Sequence, residues 1–176
     1  MLNIPCRALA ETWESSVHPA LSTYHNPITS ISLFVLLDLL GAASPNIPSF
    51  FQTTHWAYRE LASIEERMRK LELLESKPAK NFLPDKEKKS FSRGFVQDDH
   101  VPFMARGVDV LHVIAYPFPT VWHTMDDDAE HLDIPTVRDW AKIMTAFAAE
   151  WMDLEGDMPA PIPEKVKRVH SDKTEL

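Results

Sequence analysis

Ile31-Ser32-Leu33-Phe34-Val35-Leu36-Leu37-Asp38-Leu39-Leu40 is the stretch that decides the fold. Its apolar residues run on without alternation, the pattern of a strand covered on both faces of a sheet. The run is too short to span a bilayer, and Asp38 interrupts it. Such a strand needs neighbours on both sides. Residues 1–30 are too few and too polar to supply them all. Within them, Arg7 to Trp13 reads as the last turns of a helix, and Ser15 to Pro27 as a polar linker.

Downstream of the strand, Pro45 and Pro48 mark a loop. A helix follows, capped by Thr53 or Thr54. Ala57, Leu61, Ile64, Met68 and Leu71 recur on one face of it, with Arg59, Glu65, Arg67 and Lys70 on the others. Ser76 to Ser92 is lysine-rich and reads as a surface loop. Gly107 leads into a second apolar strand, Val108 to Ile114. A last helix begins at Asp133, with Pro135 in its first turn. Val137, Trp140, Met144, Phe147, Trp151 and Leu154 form its apolar stripe. The Pro-, Lys- and Glu-rich residues 156–176 are expected to form a disordered tail. Strands alternating with helices place the chain in the α/β class.

With 176 residues, 44% hydrophobic, the chain is long enough for one domain with a sizeable core. A net charge of −8 and the absence of a broad basic face argue against nucleic-acid binding. Cys6 is the only cysteine, so no disulfide forms within the chain. No basic segment leads into an apolar one after Met1, so no signal peptide is visible, and the compartment stays open.

Three places combine residue types that carry chemistry. Asp38 is a carboxylate at the end of a buried strand, where functional groups of open α/β sheets gather; it could equally be a charge just reaching solvent. Gln97-Asp98-Asp99-His100 sets two carboxylates side by side. In a cleft their repulsion would raise one pKa and allow proton transfer; in the open they make a polar loop. Pro117-Phe118-Pro119-Thr120-Val121-Trp122-His123-Thr124-Met125-Asp126-Asp127 surrounds an imidazole, the commonest metal ligand, with aromatic walls and carboxylates.

In order and spacing, LFVLLDLLGA (Leu33 to Ala42), VQDDHVPF (Val96 to Phe103), RGVDVLH (Arg106 to His112) and PFPTVWHTMDD (Pro117 to Asp127) resemble glutaminyl-peptide cyclotransferases, which share the fold of the zinc aminopeptidases of peptidase family M28. The resemblance implies a partial mixed β-sheet flanked by helices over residues 31–155, the C-terminal part of that domain, with the N-terminal portion missing. It implies a zinc-assisted reaction on a peptide or protein with N-terminal glutamine. The α-amine attacks the side-chain amide carbon, pyroglutamate forms and ammonia leaves. His123 matches the zinc-ligand histidine. Asp38 and Asp98 match the two acidic residues of a hydrogen-bond network that handles protons. Phe118 and Trp122 match pocket aromatics, and Val96 and Gln97 would line the same pocket.

The departures are also informative. The family's acidic motif, resembling Asp-Gly-Glu-Glu, supplies two further zinc ligands and the general base, and it is absent from residues 1–30. Glu11 and Glu14 sit in a helix that resembles sequence downstream of that motif. One of three protein ligands is therefore expected here, and little or no activity from this chain alone. Ala115-Tyr116 stands where the family more often has Pro-Ser. Two other readings follow from the same residues. One is an M28 aminopeptidase, in which Asp38 would ligate a second metal. The other is a non-catalytic truncated product. Members of the family are often secretory-pathway proteins.

Overall fold

The computed structural model describes residues 4–91 and 95–154. The expected tail, residues 156–176, lies outside the described residues. Helix α1 (Ile4–Ser15) opens the chain and extends the predicted helix at both ends. Strand β1 (Phe34–Asp38) follows a 3₁₀ turn at Ile28–Ser30. Helix α2 (His55–Lys70), the short helix α3 (Val101–Met104), strand β2 (Val110–Ile114) and helix α4 (Ile134–Trp151) complete the order. None of these helices is long and apolar enough to cross a membrane.

β1 and β2 pair in parallel, in a register running from Phe34 opposite Val110 to Asp38 opposite Ile114. Among the described residues these two strands make the whole sheet, a parallel pair consistent with the partial α/β sheet expected. β2 is buried throughout. β1 has packing on both faces: Leu33 and Val35 join the main core, and Phe34 joins a second one. Its burial is nonetheless incomplete, with Leu37 46% exposed. The reason is the sheet edge. With β2 on one side only, the side chains near the end of β1 lack the neighbours that a central strand provides.

The main core is built by α2 and α4 against β2, with Ile47, Leu61, Ile64, Val113, Ile143 and Phe147 among its buried residues. The second core lies under α1, where Ala10 and Trp13 meet Phe103 and Phe34. The Phe34 and Phe103 rings are 4.7 Å apart. The N-terminal helix thus covers one face of β1, and α3 is the element that the sequence did not announce.

Two expectations are corrected by buried carboxylates. Glu65, expected on an outer face of α2, is fully buried. Its carboxylate accepts from the Phe82 and Leu83 amides at 2.7 and 3.0 Å and from Arg69 Nε at 2.8 Å. Those bonds pull Phe82 and Leu83 into the core, so the lysine-rich segment is not wholly a surface loop. Asp139 is buried on α4 and accepts from the Glu75 and Ser76 amides at 2.7 and 2.9 Å. A buried carboxylate is tolerable only with such partners.

The caps follow the sequence in part. Asp133 caps α4, its side chain accepting from the Thr136 amide at 3.0 Å. Thr54 occupies the N-cap of α2, but its hydroxyl donates to the Val110 carbonyl at 2.6 Å and ties α2 to β2 instead. Gly107, at φ 83°, closes the turn after α3 in the left-handed conformation that glycine accepts readily.

Candidate active site

Parallel pairing brings the carboxyl ends of β1 and β2 to one edge, the position where α/β folds collect functional groups. Asp38 is the last residue of β1 and is half-buried. Its Oδ1 accepts from the Leu39 amide at 2.9 Å. Leu39 itself sits at φ 54°, a left-handed conformation that costs a bulky residue on the order of 1 kcal/mol. Desolvation raises the Asp38 pKa, and the charge of Asp98 raises it further.

Asp98 comes from the loop that enters α3. Its backbone carbonyl accepts from the Val101 amide at 3.0 Å, starting the turn, and its Oδ1 accepts from the Asp99 amide at 2.7 Å. The other oxygen, Oδ2, lies 3.0 Å from His112 Nε2 in the middle of β2. The two carboxylates that sequence reasoning singled out are thus brought together, with a histidine that it quoted in a motif but gave no role.

His112 is buried, and burial holds its pKa below the ordinary histidine value, against the opposing pull of the Asp98 hydrogen bond. Its Nδ1 has no partner. These facts favour the neutral tautomer with the proton on Nε2, donated to Asp98, because a bare acceptor is easier to bury than an unpaired N–H. His100 lies behind it, with ring centroids 4.4 Å apart. It is fully buried with neither ring nitrogen partnered. Desolvation, then the neighbouring His112, push its pKa down to about 4, so it too is neutral near pH 7. Aromatic rings of Phe51 and Phe95 flank it at 5.7 and 5.8 Å.

The loop that leaves β2 carries the second group. The Phe118 ring meets Trp122 at 4.7 Å, and Trp122 stacks on His123 at 3.7 Å. Phe118 is half-buried, while Trp122 and His123 are exposed. His123 has φ 60°, a conformation that histidine tolerates better than most residues. Val96 is half-buried and Gln97 is exposed. The arrangement offers a half-buried carboxyl with a raised pKa, a carboxylate–imidazole pair whose charge acts on it, and an aromatic wall ending in an exposed imidazole.

A zinc ion was expected from the resemblance. The fit is incomplete: among the described residues no group of three or more His, Cys, Asp or Glu side chains converges as a metal site. His123 alone, on an exposed loop, does not make one.

The chain is 46% identical over 149 residues to the glutaminyl-peptide cyclotransferase-like protein of Bos taurus, an alignment covering 84% of this chain and 37% of that protein. It is 41% identical over 150 residues to the glutaminyl-peptide cyclotransferase of Boiga irregularis, covering 84% of this chain and 39% of the other. The chain therefore spans well under half the length of these relatives. The crystal structure of Macrostomum lignano glutaminyl cyclase superposes with a TM-score of 0.74 at 30% identity, covering 89% of this chain and 48% of that one. The sequence pattern of Peptidase family M28 matches residues 15–148, which take in both strands and the loops that carry the site residues, and the chain belongs to that family.

Proposed function

We propose that this chain carries the proton-handling and substrate-walling part of a zinc-dependent glutaminyl-peptide cyclotransferase. The observation that carries the reading is the Asp98–His112 pair beside Asp38, at the sheet edge from which the Phe118–Trp122–His123 wall departs. The similarity to glutaminyl-peptide cyclotransferases supports the same reading.

In this reading the substrate is a peptide or protein with an N-terminal glutamine. Asp38, whose pKa is raised by burial and then by the charge of Asp98, is assigned the proton transfer near the leaving nitrogen. Asp98 is fixed by His112 and by the Asp99 amide, so its charge is presented in one orientation. Phe118 and Trp122 flank the glutamine side chain and exclude water from it. Val96 and Gln97 are assigned to the lining of the same pocket. Zinc, when bound, would polarise the amide oxygen. His123 is the one residue of this chain assigned to hold it, and the remaining ligands and the general base lie outside the described residues. The 176-residue chain by itself is expected to turn over slowly or not at all.

A chimaera tests this reading. Residues 15–148 replace the matching segment of the Bos taurus relative, and the product is assayed with zinc, glutaminyl peptides and aminoacyl amides. Ammonia release with pyroglutamyl product is expected, and it is lost on Asp98→Ala or His123→Ala. Release of a free amino acid without cyclisation would replace this reading with an aminopeptidase.

A further inference from the structure

A cavity of about 430 Å³ opens beside the candidate site, walled mainly by Phe50, Phe95, Val96 and Tyr116. That volume lies in the range of small-ligand pockets. Its walls are shared with the site on three sides. The Phe50 ring lies 5.6 Å from the ring of His112, which holds Asp98. Phe95 packs at 5.8 Å against His100, and Val96 leads directly into Gln97 and Asp98. The Tyr116 ring lies 6.2 Å from Phe118, the first ring of the aromatic wall.

The one charged group on the cavity is already engaged. Lys88 Nζ donates to the Ser49 carbonyl and to Asp85 Oδ2, each at 2.8 Å. With its ammonium neutralised by a carboxylate, the cavity offers aromatic and aliphatic surface rather than a charge. Such a surface recognises an apolar side chain, and an aromatic one most of all, through buried area and ring-edge contacts.

We propose that this cavity receives the side chain following the N-terminal glutamine, and that it favours an aromatic or bulky apolar residue there. The proposal rests on the cyclotransferase reading above. A peptide whose glutamine amide reaches Asp38 and Asp98 continues away from them by at most about 3.6 Å per residue. Its next side chain therefore falls within reach of a cavity that shares walls with the site. Tyr116 stands at the mouth, 56% exposed, and acts as the specificity-determining ring.

Calorimetric titration of the 176-residue chain with the amides of Gln-Phe, Gln-Gly and Ala-Phe tests this. Gln-Phe amide is expected to bind about tenfold more tightly than Gln-Gly amide, about half or more of what a fully buried phenyl ring supplies. Tyr116→Ser, at an exposed position, and Phe95→Ala, with its fold verified by circular dichroism, each reduce that ratio to about twofold or less. Equal affinity for Gln-Phe and Gln-Gly amides overturns the cavity assignment while leaving the glutamine reading intact. A ratio unchanged in both variants also overturns it. Ala-Phe amide binding as tightly as Gln-Phe amide leaves the cavity standing and overturns the glutamine reading. No binding by any of the three overturns both.

Discussion

His112 Nε2 and Asp98 Oδ2 lie 3.0 Å apart and join the centre of β2 to the entry of α3. Together with the Asp99 amide on Oδ1, this bond fixes the orientation of the carboxylate whose charge acts on Asp38. Asp98→Ala strands a buried imidazole N–H and is expected to destabilise the chain by about 1–3 kcal/mol. The double variant with His112→Phe should be less destabilised than the sum of the two singles, since both polar partners are then gone. Urea denaturation of the four proteins measures the coupling, and strict additivity would show that the bond contributes nothing to the fold.

Burial of His100 makes stability depend on pH. Its folded pKa of about 4 lies below its ordinary value of 6.5. The unfolded chain therefore binds more protons in that window, and stability falls as pH drops from 6.5 toward 4. His112, shifted in the same direction, adds to the effect. His100→Phe, placed among Phe51 and Phe95, should flatten the profile by about 1–3 kcal/mol between neutral pH and pH 4. Parallel profiles for variant and parent would contradict this.

Glu65 ties α2 to the segment after it. Glu65→Ala leaves the Phe82 and Leu83 amides and the Arg69 guanidinium short of their acceptor, and should cost about 3–5 kcal/mol. A loss below about 1 kcal/mol in the urea midpoint analysis would mean that the segment is held by Phe82 packing alone.

His123 should behave in the opposite way. It is exposed, left-handed and stacked only by Trp122 among the ring contacts of the described residues. His123→Asn, which tolerates that backbone equally well, is expected to change stability by less than about 1 kcal/mol. The same substitution in the chimaera should abolish cyclisation. A large stability loss would identify His123 as a structural residue.

Much of this was readable in the sequence. The unalternating run at Ile31 to Leu40 marked β1, and Asp133 with Pro135 marked the start of α4, because both signals are local. What escaped was non-local. Glu65 sits in a helix where charge ordinarily means solvent, and its partners are amides of Phe82 and Leu83 from a separate segment. His112 reads as one polar residue in an apolar strand, and only the folded chain puts Asp98 against it. The cavity at Tyr116 was not legible, since its walls come from four separated segments. Asp38 and Asp98 were found as a pair, whereas the placement of Trp122 and His123 on an exposed wall required the structure.

The central claim is that these residues form part of a zinc-dependent site rather than the whole of it. The most direct measurement is the zinc content of the purified 176-residue chain after equilibration with zinc and gel filtration, read by atomic absorption. The account predicts far less than one zinc per chain, with the small amount retained falling further in His123→Ala. One tightly held zinc per chain would contradict it and would require ligands beyond those assigned here.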